Sequence, residues 1–362
     1  MKLKHISRRA KELGLSIVEL MVAILIGLII LAGVVQVVVT SKTSFLGQEE
    51  MSFIQENARY ALDLIGRDLQ NAGYIGCGGN SADIAYVSKV NATSKEFIGV
   101  GLIKGYEGES RSVDAYPASY KGEVRPILSP GTTTVIDYPD SLIVSGGSGR
   151  PVPIKSQSGS IFTVDSHYFS KNQNIVIVAE DCRRAAIVRL GENLTGTQFS
   201  FTNSSVCSTF VKPQLDSDYM CDHECNCSGE ISNQLFLPGS VAFSFDTHAY
   251  YVANSGVLPD VPALKRKVLR GGDGVEEELA LGVEDLEFLY GVLDGNNLRY
   301  KKASEVGSDE WNKVVSVQVS LLMRSQALSL NQAEARTYLG NDYNDRYMRQ
   351  VVTSTFRLRN RI

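Results

Sequence analysis

Residues 12–39 read ELGLSIVELMVAILIGLIILAGVVQVVV, and their reading decides the fold. From Leu20 to Val39 every residue except Gln36 is apolar, glycine or alanine. A helix rising about 1.5 Å per residue over this run spans roughly 30 Å, the thickness of a bilayer's hydrocarbon core, which predicts a transmembrane segment over 20–39. Lys2, Lys4, Arg8, Arg9 and Lys11 against Glu12 give residues 1–14 a charge of +4, whereas Lys42 is the one basic residue between the span and Arg59. The positive-inside rule then puts the N-terminus in the cytoplasm and exports the body. After Val39 the chain reads TSKTSFLGQ, with no small-x-small site of a secretory signal peptide, so the span is expected to remain.

Glu19 stands at the mouth of the apolar run, where a carboxylate is costly unless it snorkels, is protonated or finds a cation. It either marks the interface or has a partner. If a peptidase cuts between Gly14 and Leu15, the new α-amino group becomes a cation at the start of a helix. A like helix alongside, displaced by about a turn, would set that amine against Glu19 and neutralise both charges in lipid.

The segment GLSIVELMVAILIG, residues 14–27, resembles the type III signal of type IV pilins and type II secretion pseudopilins. The resemblance implies that a prepilin peptidase cleaves after Gly14 and N-methylates Leu15, which stands where the commonest form has phenylalanine. It also makes Glu19 the assembly glutamate.

Beyond the span, Ile54, Ala58, Ala61, Leu62, Ile65, Leu69 and Ala72 recur at steps of three and four, one face of an amphipathic helix. Arg59, Asp63 and Arg67 are spaced for ion pairs on another face, and Gly73 supplies a stop. One long helix over about 16–72 is therefore expected, with an amphipathic half at 45–72. From residue 74 short β-like runs take over, among them TTVIDY, DSLIVSGG, NIVIVAED, AAIVRL, VAFSFD and AYYVAN, separated by Gly, Ser, Pro and Asn. Val315, Val317, Val319, Leu321 and Met323 alternate onto one face, as do Val352, Ser354, Phe356 and Leu358. Residues 329–346 are polar and read as a loop or a short surface helix.

The C-terminal third carries a second resemblance. HAYYVANSG, LALGVEDLEFLYGV, WNKVVSVQVSLLMRS and RQVVTSTFRLRNR are similar, in order and spacing, to the PilW family of minor type IV pilins, and QENARYALDLIGRDLQNAGYIGC extends the likeness to the helix. Residues 80–240 resemble no family. The resemblance implies an α+β, pilin-like fold with the long helix packed on antiparallel sheet. It divides the chain into a leader 1–14, a helix 15–72, an exported β-rich region 73–240 with a variable disulfide-containing insertion, and a C-terminal β region 241–362. It also implies a minor pilin that primes pilus assembly at or near the tip, supporting twitching motility, adhesion and DNA uptake. Its partners would be other minor pilins and the major pilin through the helix, the prepilin peptidase and the inner-membrane assembly platform. It would reside in the inner membrane before assembly and on the cell surface after it. A tip adhesin, offering Tyr106, Tyr116 and Tyr120 to a ligand or DNA, and a type II secretion minor pseudopilin are the alternatives.

The net charge of −4 leaves −8 on the body once the basic leader is set apart, which argues against general affinity for nucleic acid. All six cysteines, Cys77, Cys182, Cys207, Cys221, Cys225 and Cys227, fall in the exported part, where disulfides are expected. Cys221, His223, Cys225 and Cys227 in CDHECNC also suggest soft metal ligands. Four ligands within seven residues would strain a tetrahedral site, and no metal is predicted. Cys77 with Cys182 is the first pairing to test, leaving the other four to staple one loop region. Family members often carry an Asp-rich, calcium-loop-like run after the YGV strand; here YGVLDGNNLRY reads instead as a hairpin turn at Asp294–Gly295–Asn296.

Catalysis has no support: the four histidines form no hydrolase pattern, and GGSG (146–149) and GGDG (271–274) read as glycine turns without the lysine of a P-loop. No cofactor is predicted and an anchored enzyme ranks last. Glu276, Glu277 and Glu278 read as a solvated acidic face, and Glu284 and Asp285 as structural.

Overall fold

The computed structural model describes residues 16–76, 85–89, 103–108, 116–117, 120–128, 133–182, 184–192, 194–201, 207–208, 236, 238–258, 260–269, 274–308, 310–330 and 332–361. A single helix, α1, runs from Ile17 to Asn71. No proline interrupts it, and it stops where Gly73 takes a left-handed φ of 72°, a conformation glycine adopts without steric penalty. The Gly73 amide then donates to the Ser145 carbonyl at 2.9 Å, so the chain is tied to a strand as it leaves the helix. By contacts the chain divides into two compact units, Met1–Glu50 and Met51–Ile362.

Nineteen strands follow α1 among the described residues. The first ten are Ala85–Lys89 (β1), Ile103–Tyr106 (β2), Ile127–Leu128 (β3), Val135–Asp137 (β4), Ser141–Ser158 (β5), Ile161–Val164 (β6), Asn174–Val178 (β7), Arg184–Arg189 (β8), Gln198–Ser200 (β9) and Cys207–Ser208 (β10). The next five are Val241–Asn254 (β11), Pro262–Leu269 (β12), Val275–Leu281 (β13), Val283–Asp294 (β14) and Asn297–Lys301 (β15). Val314–Leu328 (β16), Glu334–Tyr338 (β17), Asn341–Asp345 (β18) and Tyr347–Arg357 (β19) complete the set.

A large sheet orders its main path β10-β1-β8-β7-β11-β5-β6-β9, with β2 on β5 and the β12–β13 ribbon on β11. A second sheet has the order β15-β14-β16-β19. Nearly every pairing is antiparallel; β1 with β8 is the parallel exception. The fold is thus α+β: one long helix packed on mostly antiparallel sheet.

The predicted helical face is the buried one. Ile54, Ala61, Ile65, Leu69 and Ala72 are fully buried, and Ala58 and Leu62 nearly so. They share a core with Leu142 and Val144 of β5, Tyr250 and Val252 of β11, Leu286 and Phe288 of β14, and Val317, Val319, Leu321 and Met323 of β16. Burying each of the large aliphatic side chains contributes about 1.5–3 kcal/mol, so this stripe alone holds the second half of α1 to both sheets. Val352 and Phe356 of β19 pack at its border, as their alternation predicts.

Three segments depart from the sequence reading. VAFSFD and AYYVAN are one strand, β11, because no turn-forming residue separates them; a bulge between Ala242 and Ser244 absorbs the irregularity against β5. GGSG is not a turn but lies inside β5. Its glycines allow a close approach, since a Cβ on Gly146 would stand 2.7 Å from the Asn71 carbonyl oxygen and one on Gly147 3.1 Å from that of Tyr74. Residues 329–346, expected as loop or helix, contain the β17–β18 hairpin. Its two-residue turn, Leu339–Gly340, has positive φ at both positions, 48° and 87°, as a type I′ turn demands. The expected turn at Asp294–Gly295–Asn296 is present: Asp294 pairs with Asn297, and Gly295 has φ 59°.

Candidate assembly surface and its anchorage

In the unit Met1–Glu50, α1 is long and apolar enough to cross a membrane, and none of that stretch is buried. Ile17, Met21, Leu25, Ile29 and Val37 are all more than half exposed, so the helix offers apolar surface around its whole circumference. Such a surface is stable only in lipid or against other apolar helices. Glu19 is exposed in the first turn, and lines a shallow groove with Ser16, Val18, Val22, Ala23 and Ile26. A carboxylate there complements the positive end of the helix dipole. Gly14 and Leu15 lie outside the described residues.

In the second unit the same helix turns one face to the core and leaves Ser52, Gln55, Glu56, Arg59, Tyr60, Asp63 and Arg67 along an open shelf. The expected ion pair on this face is present between Arg67 and Asp63, at 2.6 Å. Two devices lock the inner face beyond apolar contact. Asn57 accepts a hydrogen bond from the Leu281 amide at 3.1 Å and donates to the Phe53 carbonyl at 3.0 Å. Asp68 is ringed by donors: His248 Nδ1 at 2.5 Å, the Tyr250 hydroxyl, and Arg266 Nη1 at 3.4 Å. Burial works to raise the Asp68 pKa, but the bonds and charges of His248, Tyr250 and Arg266 outweigh it and hold the carboxyl below its ordinary value.

Arg266 also reaches Glu277 at 2.6 Å, and Lys265 reaches Glu276 at 2.6 Å. The run Glu276–Glu278 is therefore not simply a solvated face: β13 sets it opposite Lys267, Arg266 and Lys265 of β12, a cross-strand ladder of opposite charge. Glu284, read as structural from sequence, has partners in Arg349 Nε at 2.5 Å, Arg324 at 3.5 Å and Arg125 at 4.0 Å. Arg349 also clasps Asp345 at 2.6 Å and stacks 4.2 Å above the Tyr343 ring. Asp285, fully buried, accepts the Leu286 amide, and burial pushes its pKa up to about 7.

A further cluster was not visible in the sequence. One carboxylate oxygen from each of Glu107, Asp140 and Glu287 lies within 4.8 Å of the others. Asp140 docks on the free edge of β14: its amide donates to the Leu286 carbonyl at 2.7 Å and its Oδ2 accepts the Phe288 amide at 2.9 Å. Its Oδ1 accepts the Gly108 amide at 3.0 Å. Burial, and then the charge of Asp140, raises the Glu287 pKa to about 9. The three residues come from separate segments, so no local spacing signals them.

Of the predicted disulfide residues, Cys182 is disulfide-bonded, and Cys207 lies on β10. Cys77, Cys221, Cys225 and Cys227 fall outside the described residues, as does the pairing of Cys182. The tyrosines considered for ligand binding are not displayed: Tyr116 and Tyr120 are buried in a core with Tyr251, against which Tyr106 packs. Tyr120 stacks on Tyr251 at 4.7 Å, and Tyr116 donates to the Pro139 carbonyl.

Residues 249–360 match the family model described as Type IV Pilus-assembly protein W. The matched segment includes Tyr250, Arg266, Glu284, Arg324, Arg349 and Phe356, and so most of what grips α1 and all of the β15-β14-β16-β19 sheet. No curated protein and no solved structure matches the chain.

Proposed function

We propose, for a chain whose residues 249–360 match the family model of type IV pilus-assembly protein W, the role of a minor pilin. Involvement in type IV pilus assembly comes with the family, whose members are structural and assembly components. The observation that carries the finer reading is α1. Its first half is apolar all round with one carboxylate in the first turn, and its second half is anchored by residues of the family-matched region. A subunit that leaves the bilayer for a filament needs this division: a helix that exchanges lipid for neighbouring helices, and a body that travels with it.

In this reading the precursor waits in the inner membrane with its N-terminus cytoplasmic and its body periplasmic. Cleavage after Gly14 frees the Leu15 amine, which is methylated and pairs with a glutamate in a neighbouring pilin, while Glu19 receives the amine of another subunit. The complex with other minor pilins primes the filament and ends at its tip, and motility, adhesion and DNA uptake follow from the filament's presence. Deleting the gene and counting surface pili, with and without the retraction motor, tests this. Pili that vanish and return when retraction is blocked support an assembly-promoting subunit; unchanged pilus number in both backgrounds refutes it.

A further inference from the structure

The register of β2 on β5 pairs Tyr106 with Ser141, so the next residues outward, Glu107 and Asp140, face each other where that ladder ends. Asp140 is at the same time bonded along the edge of β14, which brings Glu287 to the same place. Three carboxylates thus converge where the large sheet meets the four-stranded one, a poor arrangement unless something positive sits among them. Lys302 approaches Glu107 Oε1 to 3.7 Å from a side chain that is 35% exposed, while burial and the neighbouring charges raise the pKa of both Asp140 and Glu287.

Besides the Glu107 oxygen that Lys302 approaches, one unsatisfied group marks the spot independently of the charge count. Glu107 Oε2 accepts the Ala303 amide at 3.1 Å, yet Glu107 Oε1 is buried without a hydrogen bond on a side chain only 10% exposed. The Tyr290 hydroxyl is fully buried and also has no hydrogen-bond partner. It is lodged against Gly105, where a Cβ would stand 2.0 Å from its oxygen, and the charges of Asp140 and Glu107 act on it. Buried polar atoms without partners are rare in native proteins and point to a missing ion or water.

We propose that Glu107, Asp140 and Glu287 bind a hard divalent cation, with the Tyr290 hydroxyl facing its hydration shell, and that the ion clamps the β2–β5 ladder to β14. An all-oxygen donor set suits calcium, magnesium or manganese rather than zinc. Asp140 keeps its position through three backbone hydrogen bonds, so the site is pre-organised, and each of its oxygens retains a lone pair for the ion. The inference is independent of the pilus reading, since it concerns how the two sheets are joined.

Terbium, which replaces calcium and is sensitised by nearby tyrosine, is the probe. Full-length protein in detergent is titrated with Tb3+ under excitation of tyrosine, and its thermal unfolding is followed in EDTA and in millimolar calcium. Saturable emission displaced by calcium is expected, together with a higher Tm in calcium. Glu287→Gln and, separately, Glu107→Gln should weaken Tb3+ binding by about tenfold or more and abolish the calcium-dependent Tm shift. In EDTA Glu287→Gln should be as stable as the parent, because crowding and burial already keep that carboxyl protonated there, so its loss of binding cannot be ascribed to misfolding. Absent emission, emission unchanged in both variants, or a Tm indifferent to calcium overturns the proposal.

Discussion

His248 Nδ1 stands 2.5 Å from the Asp68 carboxylate, joining β11 to the inner face of α1. Both side chains are 18% exposed, so the bond is shielded from water and worth more than a surface pair. Removing the carboxylate leaves His248, the Tyr250 hydroxyl and one contact of Arg266 without their common acceptor. Asp68→Ala should cost about 2–3 kcal/mol in denaturant unfolding of the detergent-solubilised protein. The pH dependence has a fixed sign. A carboxyl whose folded pKa is depressed stabilises the protein above its unfolded value, and that contribution is lost as pH falls through the folded pKa. The gap between the parent and Asp68→Asn should therefore be present at about pH 5 and narrow below about pH 4. A gap that widens with acid would show that the carboxylate is not the stabilised form.

Gly66 gives a case in which two effects oppose each other. In a helix interior, glycine to alanine gains about 1 kcal/mol in propensity. At this position the new Cβ would stand 2.3 Å from the Phe356 ring of β19, which cannot withdraw without disturbing the core it borders. Overpacking of this kind costs about 1–3 kcal/mol, so the steric term should win and Gly66→Ala should lower stability. Trimming the ring, in Gly66→Ala with Phe356→Leu, should recover part of the loss. A thermal unfolding double-mutant cycle reads the coupling, and additive effects would mean that helix and strand are not in firm contact there.

Arg349 and Glu284 are 4% and 7% exposed in their side chains, one of the least solvated ion pairs among the described residues. Breaking such a pair from one side costs about 3–5 kcal/mol, because the remaining charge stays buried. Arg349→Ala should cost toward the lower end, since Arg324 still approaches Glu284 at 3.5 Å. Because Arg349 also holds Asp345, amide hydrogen exchange in the β17–β18 hairpin should quicken by about tenfold or more while α1 residues 54–69 change less. Uniform acceleration across the body would point instead to global destabilisation.

How much was legible depended on whether the information was local. Each of the seven residues from Ile54 to Ala72 assigned to the inner face is buried, because a 3.6-residue period is written in consecutive sequence. The turn at Gly295 was legible for the same reason, whereas that at Leu339–Gly340 was hidden by a leucine at a positive-φ position where glycine or asparagine is usual. GGSG misled because glycine serves two ends: it forms turns, and it thins a strand where another backbone approaches, as Asn71 and Tyr74 do here. The acidic run on β13 looked solvated because its partners lie on the neighbouring strand β12, and Tyr116 and Tyr120 looked displayed because their segment carries no strand signal. The carboxylates of Glu107, Asp140 and Glu287 meet only through sheet register, which a one-dimensional reading does not supply.

Under the proposed minor-pilin role, Glu19 should separate processing from assembly. In the proposed reading the peptidase acts on the leader and the bond after Gly14, whereas Glu19 matters only when a second helix lies alongside. Glu19→Ala should leave the mature mass unchanged by mass spectrometry but reduce the subunit's recovery in sheared pili several-fold, because the unpaired amine of a neighbour would then remain in an apolar setting. Gly14→Val should abolish cleavage and leave the precursor in the membrane. The two variants thus fail at different steps, and the exposed first turn carrying Glu19 makes the second step open to a partner. If Glu19→Ala enters filaments at the parent's level, apolar contact along 17–39 suffices for this subunit, which fits a position at the very tip with no pilin ahead of it. If Glu19→Asp fails as fully as alanine, the pair needs the longer side chain's reach as well as its charge.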